Sequence, residues 1–410
     1  MPSRVSLALY DDAIARRFEP FALTRPWSTM RVGALLVHER WAHATGGTAR
    51  WHLAGRAQRD FREGDGPHPA RGTLPAGTLI VHSRCAVTLE PALPDAPVLV
   101  CRDRDGTLRV AAVRLSAPEP VATFEDGTLT LDALARRHHG RRRGVEMTGH
   151  WCDHVWDVFA LLNRLLGDDI ATLARVMPVQ MLAQGHVLGP HPVWVAPGAT
   201  IEPLTVFDTT AGPVLLDRDA RVQAFSRVSG PCYVGASTVV SGGRVGGSAI
   251  GPWCKVNGEV SATVWLGYAN KGHDGFVGHS VLGRWVNLGA GTTTSNLKNT
   301  YGPVALWTPD GLVETDQQFL GTLFGDHVKT GIGLRLTTGC VLGAGANVVD
   351  RMPPKVVAPF AWGGGAPYST YAVDKFLVTA ERVMARRQVV LDAATRRHLH
   401  AAFGRRWTDV

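Results

Sequence analysis

The chain has 410 residues, with 43 Lys plus Arg against 35 Asp plus Glu, a formal net charge of +8, 45% hydrophobic residues and 19% charged ones. This length predicts two or three domains with proper cores, and the composition excludes a miniprotein and a mainly disordered chain. No stretch approaches the roughly 18 uninterrupted apolar residues of a membrane span, and Asp11 and Asp12 arrive before any signal-like apolar run, so a soluble, cytoplasmic protein is expected.

In chain order, Val5–Leu9, Leu79–His82 and Val98–Cys101 read as short apolar strands, and Val155–Leu166 has helical periodicity. Together they predict a mixed α/β domain over residues 1–184. The run from Arg136 to Arg143 reads as a basic loop after a helix, but it lacks the interleaved aromatics of a nucleic-acid surface. Met177 to Pro190 forms the passage into the next region. Six cysteines are scattered through the chain without a C-x-x-C pair, which indicates neither a disulfide framework nor a zinc ribbon.

Glycine then sets the middle of the chain apart. Of 46 glycines, 28 lie within residues 185–350. A six-residue spacing runs through the same segment: Leu216, Val222, Val228, Val234, Val240, then Ile250 and Val256, then Phe276, Leu282 and Leu288, and finally Phe324, Thr330, Leu336, Leu342 and Val348. Each hexad offers one inward aliphatic side chain and a corner where Gly or a small residue tolerates close backbone approach. Three such rungs close a triangular coil, and this pattern predicts a left-handed parallel β-helix. The register is expected to break at 257–275 and 297–323, as protruding loops. Residues 351–410 form a basic tail; from Tyr368 onward it holds eight Lys or Arg and four acids, with apolar residues at the spacing of an amphipathic helix.

Within the β-helix, the segment from Tyr268 to Asn296 (YANKGHDGFVGHSVLGRWVNLGAGTTTSN) resembles the acetyltransferase half of the bifunctional N-acetylglucosamine-1-phosphate uridyltransferase/glucosamine-1-phosphate acetyltransferases and the matching part of their thymidylyltransferase-type relatives. The stretches Leu9–Asp12 (LYDD) and Leu23–Gly33 (LTRPWSTMRVG) resemble a divergent branch of sugar nucleotidyltransferases. In place of the usual Gly-rich phosphate loop after the first strand, this chain has Tyr10, Asp11 and Asp12. Arg25 and Arg31 are candidates for the missing cationic role, or for pairing with Asp11 or Asp12.

The resemblance implies a catalytic base at His273 and an amino-sugar contact at Asn296, with the family's 23-residue separation. Acetyl transfer from a thioester needs a neutral amine and therefore a base of pKa near 7, which His273 suits by type. Lys271, Lys298 and Lys255 are candidates to meet a sugar phosphate, with Glu259 as a further substrate contact. Ala290, Gly291 and Ala344 are small enough for the pantetheine arm of acetyl-CoA to lie against backbone. Phe276 and Leu297 stand where the first-named family has tyrosines, and Leu297 and Glu259 agree better with the thymidylyltransferase-type relatives. The resemblance further implies a homotrimer, a sugar 1-phosphate and a nucleoside triphosphate as substrates, and Mg²⁺ for the amino-terminal activity. Two other readings use the same fold: a zinc site of His273, His279 and His327, and a non-catalytic sensor of sugar nucleotides.

Overall fold

The computed structural model describes residues 5–183 and 186–408, so the expected boundary at 184 lies outside the described residues. The chain forms two compact units. One is built on Ala22–Asp157 together with the first strand and Asp392–Ala402, and the other on Val158–Leu391 with the residues from Phe403.

The first unit is α/β. Its first strand, Ser6–Tyr10, lies between two parallel neighbours, Thr48–Leu53 and Leu79–His82. Beyond Leu79–His82 the sheet turns antiparallel through Leu108–Arg114 and Val98–Arg102. Residues Leu7 to Tyr10 are buried throughout, as expected of a strand covered on both faces. Helix Leu131–His139 packs on Leu108–Arg114, with Thr130 capping the Ala133 amide at 3.2 Å. Half of the expected basic loop is the last turn of this helix, where cations suit the helix dipole. Arg137 and His138 both bind Glu119, at 2.5 and 3.1 Å.

The second unit opens with helix Asp157–Val176, which runs well past the expected Leu166. It continues as a parallel β-helix of three faces. The first face runs from Val193–Val195 to Val356–Val357, the second from Thr200–Ile201 through Asn270–Lys271 to Ala361–Gly363, and the third from His186–Leu188 through Phe276–Gly278 to Arg335–Leu336. Each face contributes one inward column. Leu216, Val234, Ile250, Trp265, Leu282, Phe324 and Leu342 line the first, while Val222, Val240, Val256, Leu288 and Val348 belong to the second. The corner from first to second face holds Asp219, Ser237, Trp253, Tyr268, Trp285, His327 and Phe360, all in left-handed conformation with φ between 56° and 64°.

Three expectations are corrected. Residues 257–275 lose the six-residue phase but form no protruding loop, because Val260 and Trp265 continue the inward columns at shorter spacing, and only the corner at 272–275 is enlarged. Phe276 is not the inward residue of its rung; Val277 is, fully buried and paired with Val260. The expected loop at 297–323 is a true insertion carrying the hairpin Ala305–Thr308 and Gly311–Glu314. The tail forms two helices, Val373–Ala385 and Ala393–Gly404, rather than one. Among the described residues no helix is long and apolar enough to cross a membrane.

Candidate functional site

The enlarged corner between the second and third faces carries His273. It follows Lys271, whose position in the inward column is aliphatic in neighbouring coils (Val256, Leu288). Lys271 is 1% exposed, and its ammonium donates to the carbonyls of Asn257 at 2.8 Å and His273 at 2.7 Å. Burial lowers its pKa to about 8. The lysine expected to meet a phosphate is thus engaged inside the coil, where it fixes the loop backbone. His273 itself is exposed. The Gly291 amide on the next coil donates to the Asp274 carbonyl at 2.9 Å and closes the loop from the other side.

Asn296 lies elsewhere, at the corner between the third and first faces. Its Nδ2 is 2.9 Å from Nδ1 of His279, whose ring stacks on Phe319 at 5.2 Å, and burial holds His279 below the ordinary imidazole pKa. His273 and Asn296 therefore stand at opposite edges of one face. Between them, that face presents Arg244, Glu259 and Phe276 on adjacent rungs, with Arg244 and Glu259 paired at 2.9 Å. Gly278 lets the ends of Phe276 and Asn296 converge: a Cβ there would lie 2.4 Å from Phe276 Cζ and 2.7 Å from Asn296 Nδ2. Sequence reasoning weighed His279 only as a zinc ligand, because nothing in the spacing of the two residues announces its contact with Asn296.

The other expected contacts are dispersed. Lys298 donates to the Pro303 carbonyl at the base of the insertion. Burial and then the Lys298 charge depress the pKa of Lys355, which places a second cation beside it. Lys255 is exposed on the second face and faces the first corner. Ala290 and Gly291 share the His273 corner, whereas Ala344 is buried at the first corner, so the three do not line one groove within a chain. His273, His279 and His327 occupy three different corners, and among the described residues no three metal-binding side chains converge. The zinc reading has no site in the single chain.

In the first unit, Arg25 and Arg31 are each 3% exposed and turned inward. Arg25 forms a bidentate pair with Glu63 at 3.0 Å, and Arg31 donates to the Ala34 carbonyl. Neither serves as an exposed phosphate contact, and the partner of Arg25 is Glu63 rather than Asp11 or Asp12. Asp12 instead sits at the carboxyl ends of Ser6–Tyr10 and Leu79–His82, the crevice where open α/β sheets bind ligands. Arg84 grips it at 2.8 Å and also holds Asp153 at 2.5 Å, while Arg109 holds Asp153 at 2.9 Å and lies 4.0 Å over Trp151. Burial alone would raise the Asp12 pKa, but His82 and Arg84 hold it well below the usual carboxylate range. Beside this network, at the ends of Thr48–Leu53 and His68–Pro69, a cavity of about 170 Å³ is lined by Arg56, Arg59, Arg71, Gly55 and the buried His52. Burial holds the His52 imidazole below its ordinary pKa, with a hydrogen bond to the Phe61 backbone acting against it. No motif announces these residues; they are gathered by the sheet edge.

The fold and these sites define a nucleotidyltransferase-type α/β domain joined to a β-helix. Residues 7–176, less than half of the chain, match the family model described as sugar nucleotidyl transferase. The chain is similar to the bifunctional protein GlmU of Methanococcus maripaludis, with 28% identity over 57% of this chain and 53% of that protein. The bifunctional sugar-1-phosphate nucleotidylyltransferase/acetyltransferase of Sulfurisphaera tokodaii is 32% identical over 22% of each chain. The uncharacterized acetyltransferase YaiX of Escherichia coli is 24% identical over 42% of this chain and 74% of its own length. The alignments with the M. maripaludis GlmU proteins span about half the length of those relatives.

Proposed function

We propose that the chain takes part in sugar-nucleotide biosynthesis. The β-helix would transfer acetyl from acetyl-CoA to the amine of a hexosamine 1-phosphate, and the amino-terminal domain would join the sugar 1-phosphate to a nucleotidyl group from UTP or dTTP. The observation that carries this reading is the His273 loop: an exposed imidazole on a backbone pinned from beneath by the Lys271 ammonium. In the reaction, the amine nitrogen attacks the thioester carbon, the C–N bond forms, and His273 accepts the amine proton as the tetrahedral centre develops. Collapse breaks the C–S bond, and the proton returns to the coenzyme A thiolate. Ala290 and Gly291, on the same corner, are the small residues against which the pantetheine arm would rest.

Asn296 would orient the amine or the acyl oxygen. Because it lies across the face from His273, a site using both takes the second from another copy of the chain, consistent with the trimer that the resemblance implies. Lys298 with Lys355 supplies the paired positive charge for the sugar phosphate. In the amino-terminal domain, Arg56, Arg59 and Arg71 are the candidates to receive nucleotide phosphates in place of Arg25 and Arg31. Asp12 and Asp153 are already engaged by guanidinium groups, an arrangement that does not fit a resident Mg²⁺; the ion would arrive on the triphosphate, which Mg²⁺ favours. The same inward turn of Arg25 and Arg31 favours a second reading, in which this domain binds a sugar nucleotide without catalysis.

The test is thiol release from acetyl-CoA with glucosamine 1-phosphate, for the intact protein and for His273→Ala, with pyrophosphate measured separately in the presence of UTP or dTTP. A fall of roughly 10²–10⁴-fold in the variant is expected. Undiminished release would remove His273 from the chemistry, and absence of release with every hexosamine phosphate would overturn the acetyltransferase assignment. Acetyl transfer without pyrophosphate would select the second reading for the amino-terminal domain.

A further inference from the structure

The corner between the first and second faces carries a ladder of rings. Trp285 lies 6.2 Å from His327, Tyr268 lies 4.4 Å from Trp285, and Trp253 lies 6.5 Å from Tyr268 with the two planes only 7° apart. The ladder stops at Trp253, because the next two corner positions are Ser237 and Asp219. Trp253 is left 40% exposed, and a cleft of about 260 Å³ opens beside it. Ser237 and Val239 form its floor, and Arg221, Lys255, Arg386 and Arg387 surround it. Arg221 and Lys255 flank Val239 in register on the second face, and the other two cations arrive just beyond helix Val373–Ala385. Among the described residues none of these four cations forms an ion pair. The single acid, Asp219, lies 3.8 Å from Arg218.

We propose that this cleft is a nucleotide-binding site. A planar base placed over Ser237 would stack on the free side of Trp253 and extend the ladder by one rung at roughly the 4.8 Å spacing of neighbouring strands. Its phosphates would then lie among the four cations, where guanidinium groups can bind phosphate oxygens in pairs. The site is distinct from the His273 loop, which sits at the second corner, and from the amino-terminal domain, and it does not depend on the activities proposed above. Two ligands share the required chemistry: a free nucleotide, and the adenosine-phosphate end of coenzyme A.

The experiment photolabels the full-length protein with 8-azido-ADP, maps the modified peptides, and measures competition by ADP, coenzyme A, inorganic pyrophosphate and adenosine. Label is expected on peptides containing Ser237–Lys255 or Arg386 and Arg387. It should fall at least tenfold in Trp253→Ala and in Arg386→Ala/Arg387→Ala, with thermal melting of the second variant unchanged because both arginines lie at the surface. Competition by coenzyme A equal to that by ADP would identify the cofactor as the source, and competition by ADP alone a free nucleotide. Label confined to residues 7–176, or label in the β-helix that neither variant reduces, would overturn the proposal.

Discussion

At the scale of single residues, Asp11 and Asp12 are adjacent in sequence and opposite in environment. Asp12 is neutralised by Arg84, whereas Asp11 is buried, accepts from the Trp27 amide at 2.8 Å and lies beside the Ser83 hydroxyl. Burial raises the Asp11 pKa to about 6. The folded protein then binds a proton that the unfolded chain releases near the ordinary carboxylate pKa, so the stabilisation is present below that value and is lost as pH rises through about 6. A shift of this size corresponds to about 3 kcal/mol. Asp11→Asn keeps the acceptor for Trp27 and removes the charge. It is expected to exceed the wild type in urea resistance by on the order of 2–3 kcal/mol at about pH 8 and to match it at about pH 4; a gap independent of pH would show that burial of this carboxylate is not the cause.

Elements respond to two features of the β-helix. Trp265 fills the inward column of the first face, fully buried, with its indole N–H donating to Thr263 Oγ1 at 2.9 Å. Trp265→Ala should cost about 3–5 kcal/mol, read as a lower denaturant midpoint for the β-helix. Gly275 ends the His273 loop with φ of +126°, and a Cβ there would lie 2.3 Å from the Thr292 carbonyl oxygen. Gly275→Ala is therefore expected to destabilise the loop by roughly 2 kcal/mol and to lower acetyl transfer. Wild-type stability in that variant would mean that the corner is not constrained as described. The same elements explain why a fixed hexad misplaced Phe276. Ile250 to Trp265 is fifteen residues and Trp265 to Leu282 seventeen, so coils here differ in length and a strict period of six loses its phase.

The whole molecule enters through the separation of His273 and Asn296. If the acetyl-transfer site is shared between copies, His273→Ala and Asn296→Ala subunits should each be nearly inactive alone. Co-expressed with different tags and purified through both, they should regain part of the wild-type rate, since some sites then receive both residues. No recovery in mixed assemblies of the correct size would place the two roles within one chain, against the corner geometry found here.

The sequence by itself determined the β-helix, because one buried side chain per rung and a small residue at the corner form a one-dimensional pattern that needs no knowledge of neighbours. It also marked three of the strands in the seven-stranded sheet of the first domain and the insertion before Phe324, and the motif around His273 pointed to the bifunctional proteins to which the chain is similar. Only the tertiary structure decided which side chains meet. Lys271 sits in an aliphatic column yet binds two carbonyls, Asn296 pairs with His279, Arg25 turns to Glu63, and Trp253 ends a ladder whose rungs lie fifteen or more residues apart. Such partners are fixed by the stacking of coils and the edges of a sheet, and their separation along the chain varies with every corner.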